Sequence, residues 1–504
     1  MTSGIHHVTL VTRRVQANVD FYVGFLGLRL VKRTAGYADP TQLHLFYGDR
    51  VGAPGTLLTF LVWEDGAPGR AGHGQIGEVA LSVPKESLGH WLTRAMEHRV
   101  PHESPSREFG ETVLRLKDPD GVIVKLVGAE APEGAAPEEM APIRIRAATL
   151  LTEKPEETAA FVARFGYRPG PREGSIQRML SETDALDVRD ASGFYPGVAG
   201  AGAADHVAFR APDEAAVRAL AAEFSAEGAE TSLRDRKYFF SFYVREPGGS
   251  LIECASDGPG FLLDEPEETL GTRLFFPPRA QGVEDLAAML PQFALPGAPR
   301  RPRRDLPFVH RFRDPEGAEP DGSTLILLHG SAGMEADLMP FAARVAPRAT
   351  LLGLRGRSIE EGSHRWFRRL PGRRFDQEDV RAEAEALVWT LEEAQRAYGL
   401  DPERVAVLGW SNGANLLGAA MLLHPGAIRR GILLRPQMVL EAEPGAAPAP
   451  AEALLLTGAS DPSAEPLAEA LRRAGASAEL QQAALGHNPT PNDEEILRAW
   501  LKRA

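Results

Sequence analysis

The chain has 504 residues, 43% of them hydrophobic and 25% charged; that is long enough for two to four domains with cores of their own and too apolar for global disorder. Its 69 acidic against 56 basic residues leave a formal charge of −13, which excludes a general basic footprint for nucleic acid. A single cysteine, Cys254, excludes an internal disulfide. With no basic, apolar leader in MTSGIHHVTL and no run of ~18 apolar residues, a cytoplasmic protein without a membrane span is expected.

In chain order, four short alternating strands recur: His7–Leu10, Glu78–Leu81, Ala147–Leu150 and His206–Phe209. Each precedes a helix-like stretch, NVDFYVGFLG, ESLGHWLTRAMEH, PEETAAFVARFG and DEAAVRALAAEFSAEG. Three of the units then close on a turn and strand, at Pro54–Thr59, Pro119–Lys125 and Pro247–Glu253; the third unit's last strand is weakly marked near Ala185–Arg189. The pattern predicts four βαβββ units, two in a domain at 1–130 and two in a domain at 143–278, with a linker at 131–142. Residues 279–304, ending in the Pro/Arg-rich PGAPRRPRR, read as a second linker, and EPGAAPAP at 443–450 as a surface loop. From 305 to 504 the grammar changes. TLILLHG, ATLLGLRG, RVAVLGWSNG, GILLRPQ and ALLLTGASD are near-continuous apolar runs, the mark of a parallel sheet covered on both faces, and helical periodicity fills Asp379–Tyr398 between two of them. The expected fold class is thus an α+β N-terminal half followed by an α/β domain.

Aligning the repeats exposes a first constellation. The first-strand position holds His7, Glu78, Ala147 and His206, and the last-strand position of units one, two and four holds Thr59, Lys125 and Glu253. Only units one and four offer good ligands, and two imidazoles with one carboxylate form the facial triad that leaves open positions on Fe(II). Alternation puts Thr9 on the face of His7, and Tyr243 and Arg245 precede the turn into the Glu253 strand. A lone strand histidine such as His6 or His73 ordinarily has only a structural role, and Cys254, opposite Glu253, reads as core. Glu78 and Lys125 are expected to pair in a degenerate second site without metal.

GIHHVTL, DHVAFR and DRKYFFSFYVREPGGSLIECASDGPGF resemble the vicinal oxygen chelate superfamily, in particular its hydroquinone-type ring-cleaving dioxygenases, over about residues 4–278. The resemblance implies that His7, His206 and Glu253 hold Fe(II), in some members Mn(II), that Tyr243 lies at the substrate hydroxyl, and that His6 sits near the substrate. Where relatives often carry a polar or basic residue, this chain has Phe240, and Arg236 is the candidate to serve instead.

The second constellation is Gly409-Trp410-Ser411-Asn412-Gly413, a G-x-S-x-G elbow between the strand RVAVL and the helix-like ANLLGAAMLLH. Ser411 is then the expected nucleophile, Asp461 the acid and His487 the base, in the chain order such sites use; Asp461 could instead merely cap the following helix. Backbone N–H groups of Asn412 and Ser331 are candidates for the oxyanion hole, and His329 and His424 read as structural. LLHGSAGMEADL, GSHRWFRRL and VLGWSNGANLL resemble the carboxylesterase/phospholipase group of α/β hydrolases.

The expected protein is a bifunctional enzyme of aromatic degradation. One half cleaves a hydroquinone-like or catechol-like ring with Fe(II) and O₂; the other hydrolyses an ester, thioester or lactone. Two other readings stay open for the N-terminal half beside a serine esterase: a small-molecule-binding module, and a metal-dependent isomerase or thiol transferase. Fe against Mn, the ring substituents and a homo-oligomeric state are left open by the sequence.

Overall fold

The computed structural model describes residues 4–130, 141–301, 304–316, 318–372, 374–442, 445, 447–458, 462–482 and 486–503. Most of the expected linker at 131–142, and residues 443, 444 and 446 of the loop at 443–450, lie outside them. The chain divides into two compact units, 1–280 with 293–299, and 281–292 with 300–504.

In the first unit the repeat is fourfold, each copy a strand, a helix and three strands. The first strands are Ile5–Thr12, Gln75–Pro84, Arg144–Thr152 and Ala204–Ala211. The last strands are Leu57–Val62, Ile123–Ala129, Ala185–Asp190 and Leu251–Pro259, so the weakly marked third copy does close. First and last strands run parallel in one register throughout: Thr9 opposite Thr59, Ala80 opposite Lys125, Thr149 opposite Asp187, Ala208 opposite Glu253.

One expectation is corrected here. The sheets do not follow the division into 1–130 and 143–278. The first copy joins the fourth in a nine-stranded sheet, and the second joins the third in an eight-stranded sheet. Each copy alone leaves its first strand as an open edge of unpaired N–H and C=O groups. Antiparallel pairing of Ile5–Thr12 with Ala204–Ala211, and of Gln75–Pro84 with Arg144–Thr152, removes those edges. Strand alternation then sends Val8 and Leu10 into the core and His7 and Thr9 to the other face. The core beneath includes Tyr22 stacked on Tyr47 and packed on Phe60.

Residues 279–304 are also more than a linker: they contain the helix Val283–Met289, whose Ala288 is buried in the second unit. That unit is a seven-stranded sheet, parallel except for the edge strand His310–Arg313. Gln377–Tyr398, Asn412–Leu423 and Glu465–Arg473 pack on one face. Met339–Val345 and Pro491–Leu501 pack on the other. Leu325, Ile326, Leu327 and Leu328 are all buried because both faces are covered, which explains the unbroken apolar runs. Among the described residues no helix is long and apolar enough to cross a membrane.

Candidate active sites

His7 and His206 come from the two antiparallel first strands and Glu253 from the strand beside the second, so the pairing of copies one and four is what brings them together. His7 Nε2 and His206 Nε2 each lie 2.9 Å from Glu253 Oε2 and 3.2 Å from each other. All three side chains are buried. Both imidazole Nε2 atoms and the carboxylate oxygen converge on one point, and apart from these two imidazoles the Glu253 oxygens have no hydrogen-bond partner among the described residues. A buried carboxylate in that position asks for a cation. Burial raises the Glu253 carboxyl, but His7 and His206 outweigh it and hold the group well below the usual range. Burial likewise opposes protonation of His206, yet Asp205 and Glu253 overcome it and push the imidazole up to about 9. Asp205 takes His206 Nδ1 at 2.6 Å, which turns Nε2 toward the other two ligands. The donor set and the orphaned carboxylate fit a divalent transition metal.

The neighbours arrange as alternation requires. Thr9 Oγ1 lies 3.0 Å from His206 Nε2 and 2.8 Å from Thr59 Oγ1. His6 Nδ1 lies 2.9 Å from His7 Nδ1, and burial pushes its imidazole down to about 3. Arg236 donates to the Tyr243 hydroxyl at 3.0 Å, and the Tyr243 ring stands edge-on to His206 at 5.3 Å. Phe239 packs against both His6 and His7. Phe240 takes the opposite face, where Arg218 lies over its ring at 4.2 Å. Arg245 holds the turn at Gly249 O and takes no place among the ligands. Cys254 is buried on the core face.

Three residues near this site escaped the reading of the sequence. His44, on the strand Leu43–Gly48, meets Thr59 Oγ1 at 3.0 Å and extends the chain of hydroxyls to His206. The Tyr37 hydroxyl is buried without a hydrogen-bond partner among the described residues, beneath Arg236, whose guanidinium lies 4.9 Å from its ring. Asp205 was visible only as the acidic neighbour in DHVAFR. The alternation in QLHLFYG could have marked His44 as facing the same side as Phe46.

In the second unit Ser411 sits between the strand Val405–Trp410 and the helix Asn412–Leu423 with φ 52 and ψ −112, the strained turn that an exposed nucleophile needs. Gly409 and Gly413 permit it: a Cβ on Gly409 would meet Ala414 N at 2.6 Å, and one on Gly413 would meet Leu328 O at 2.2 Å. His487 Nε2 lies 2.9 Å from Ser411 Oγ. Asp461 lies outside the described residues. Asn412 opens the helix, its side chain fixed by Trp366 N at 2.9 Å. Ser331 is exposed on the turn after Thr324–Leu328, where Ala332 N donates to His364 O. His329 is structural: buried, packed at a tilt against Trp366 and accepting from Gly356 N at 3.0 Å.

Comparison with known proteins agrees with both halves. Residues 4–126 match the family described as Glyoxalase/Bleomycin resistance protein/Dioxygenase superfamily. "Putative ring-cleaving dioxygenase MhqO" of Bacillus subtilis strain 168 is 37% identical over 286 residues, 55% of this chain and 91% of that protein. "Chlorohydroquinone/hydroquinone 1,2-dioxygenase" of Sphingobium indicum is 35% identical over 304 residues, 56% of this chain and 94% of that protein. "Putative hydrolase MhqD" of Bacillus subtilis strain 168 is 35% identical over 191 residues, 36% of this chain and 94% of that protein. The chain belongs to the glyoxalase/bleomycin resistance protein/dioxygenase superfamily; its first half is similar to ring-cleaving dioxygenases, and its second, built on an α/β sheet, is similar to a hydrolase.

Proposed function

We propose that the first unit opens a hydroquinone-type ring with O₂ at Fe(II), or Mn(II), held by His7, His206 and Glu253, and that the second unit hydrolyses a carboxylic ester, thioester or lactone. The observation that carries the first half is the meeting of two imidazole nitrogens on one buried carboxylate oxygen. Fe(II) bound there would supply open positions where a phenol oxygen and O₂ can lie side by side.

The chain's own residues do the rest. Burial, reinforced by the charge of Glu253, holds the Tyr243 phenol well above its usual range, so it keeps its proton and can donate to a substrate oxygen. Arg236 fixes that phenol's position. His6 and Thr9 line the approach, and Phe239 shields the imidazoles from water. In the overall reaction the bond between a hydroxyl-bearing ring carbon and its neighbour breaks, each carbon takes one atom of O₂, and a carboxylic acid and an aldehyde result.

In the second unit Ser411 Oγ passes its proton to His487 Nε2 as it attacks the acyl carbon, Asp461 is assigned to orient His487, and the N–H groups of Asn412 and Ser331 are assigned to the developing oxyanion. One experiment tests both halves. Protein reconstituted anaerobically with Fe(II) should consume O₂ with methylhydroquinone and hydrolyse a p-nitrophenyl ester. Ser411→Ala should abolish only the second activity. No bound Fe or Mn and no O₂ uptake over a panel of hydroquinones and catechols would overturn the dioxygenase half.

A further inference from the structure

Arg435 stands out in the hydrolase unit because three unfavourable features coincide on one side chain. Its φ is 55, a left-handed conformation that non-glycine residues rarely adopt, and Pro436 follows, which restricts the preceding residue further. Its guanidinium is buried. That charge is matched by Asp493, itself fully buried, through two parallel bonds of 3.0 and 2.8 Å from Nη1 and Nη2. A strained backbone and a desolvated ion pair persist only where the surroundings require them.

The remaining contacts say what the arrangement does. Arg435 Nε donates to the carbonyl of Gly486 at 3.0 Å, and the next residue is His487. One residue back along the chain, Leu434 O accepts the backbone N–H of Ser411 at 2.8 Å. Arg435 N is itself pinned to Leu456 O on the adjacent strand at 2.7 Å. Asp493 meanwhile closes a capping box with Thr490 at the start of the helix Pro491–Leu501, just past His487. Trp410, the residue before the nucleophile, donates to His487 O at 2.9 Å from the other side.

We infer that Arg435 and Asp493 are positioning residues that hold the His487 segment at a fixed distance from Ser411; the inference rests on the serine hydrolase reading above. The left-handed turn at Arg435 lets one residue reach both partners: its backbone follows the carbonyl that holds Ser411 N, and its side chain grips the carbonyl before His487. The charge pair makes the grip rigid, since a planar guanidinium with both Nη atoms on one carboxylate has its Nε direction set.

Arg435→Lys keeps the charge but cannot bond both Asp493 oxygens and Gly486 O at once. With p-nitrophenyl acetate it should lower kcat about 10- to 100-fold and leave KM within about threefold, as expected for a misplaced base rather than a damaged binding surface. Arg435→Ala would strand the buried Asp493 carboxylate and destabilise the fold, so the decisive variant is Arg435→Met/Asp493→Asn. Removing both charges should return Tm close to that of the wild type while kcat stays at least about tenfold down, because nothing then holds Gly486 O. Phosphonylation of Ser411 by a fluorophosphonate should slow in parallel. A double variant with wild-type kcat, or a lysine variant within twofold of wild type, overturns the assignment. A wild-type chain that neither hydrolyses nor labels, matching Ser411→Ala, refutes the hydrolase reading instead and the positioning role with it.

Discussion

The two sheets of the first unit are built on one register, yet they treat charge in opposite ways. In the nine-stranded sheet Glu253, opposite Ala208, faces only neutralisable partners: His7 and His206, each 2.9 Å away. In the eight-stranded sheet the equivalent last-strand residues are Lys125, opposite Ala80, and Asp187, opposite Thr149. Lys125 bonds Glu78 at 2.9 Å and Glu108 at 3.0 Å, which bears out the ion pair expected from the repeats. Asp187 accepts both arms of Arg178, and Arg178 and Arg146 share Glu111. Glu78, Glu108, Glu111 and Asp187 each have a cation built into the chain. The same frame therefore holds an open cluster of ligand-type side chains in one sheet, and in the other a closed structural cluster whose cations lysine and arginine supply.

The largest expected effect comes from breaking the open site. His206→Ala or Glu253→Gln should drop Fe content after anaerobic reconstitution and dialysis to near background, with O₂ uptake falling by at least about 10³-fold. Equivalent changes in the other sheet should leave metal content untouched. Metal retained at wild-type stoichiometry by His206→Ala would show that the ligand set is drawn on the wrong sheet.

The converse test breaks the closed cluster. Lys125→Ala takes the buried cation from Glu78 and Glu108, which are half-buried and keep only Arg115, and losing those charge-assisted bonds costs about 1.5–3 kcal/mol. Thermal or urea unfolding of the first unit's transition should register that loss, while the esterase rate of the intact variant stays unchanged. Stability within about 1 kcal/mol of wild type would mean that water already reaches this cluster.

Tyr243→Phe sharpens the contrast at smaller scale, because it removes one hydroxyl from the open site and no ligand. Metal binding should persist while kcat for O₂ uptake falls about 10- to 100-fold, the range for losing one positioned proton donor. His44→Ala, two hydroxyls away from His206, should have a weaker effect on the same rate.

What was legible in the sequence follows from how far each signal reaches. The repeats show as strand and turn spacing, and the metal candidates stand out because His7 and His206 occupy the same first-strand position of two copies and Glu253 the last-strand position of the fourth. The serine elbow is written in consecutive residues. Which copies share a sheet is not local: it depends on which open first-strand edges meet, and nothing in HHVTL or DHVAF states that they pair. Asp187 escaped as the fourth last-strand residue because its strand follows no Pro-Gly turn. His44 carried no spacing signal, and the left-handed φ of Arg435 leaves no trace in LLRPQ beyond the proline that should have discouraged it.

The smallest effect is a pH dependence that belongs to the closed cluster alone. Burial raises the Glu78 carboxyl, but Lys125, then Arg115, outweigh it and lower its pKa below the ordinary 4.5. A carboxylate depressed on folding stabilises the native state fully above its unfolded pKa, and that contribution is lost as pH falls through the folded value. Glu78→Gln should therefore cost about 1–2 kcal/mol between pH 6 and 7, where Lys125 keeps Glu108 as its remaining partner, and the gap from wild type should close progressively below about pH 4.5. Urea unfolding of both proteins across that range measures it. A gap that stays constant, or widens in acid, would mean that the cluster is held by packing and that its charges only accompany the fold.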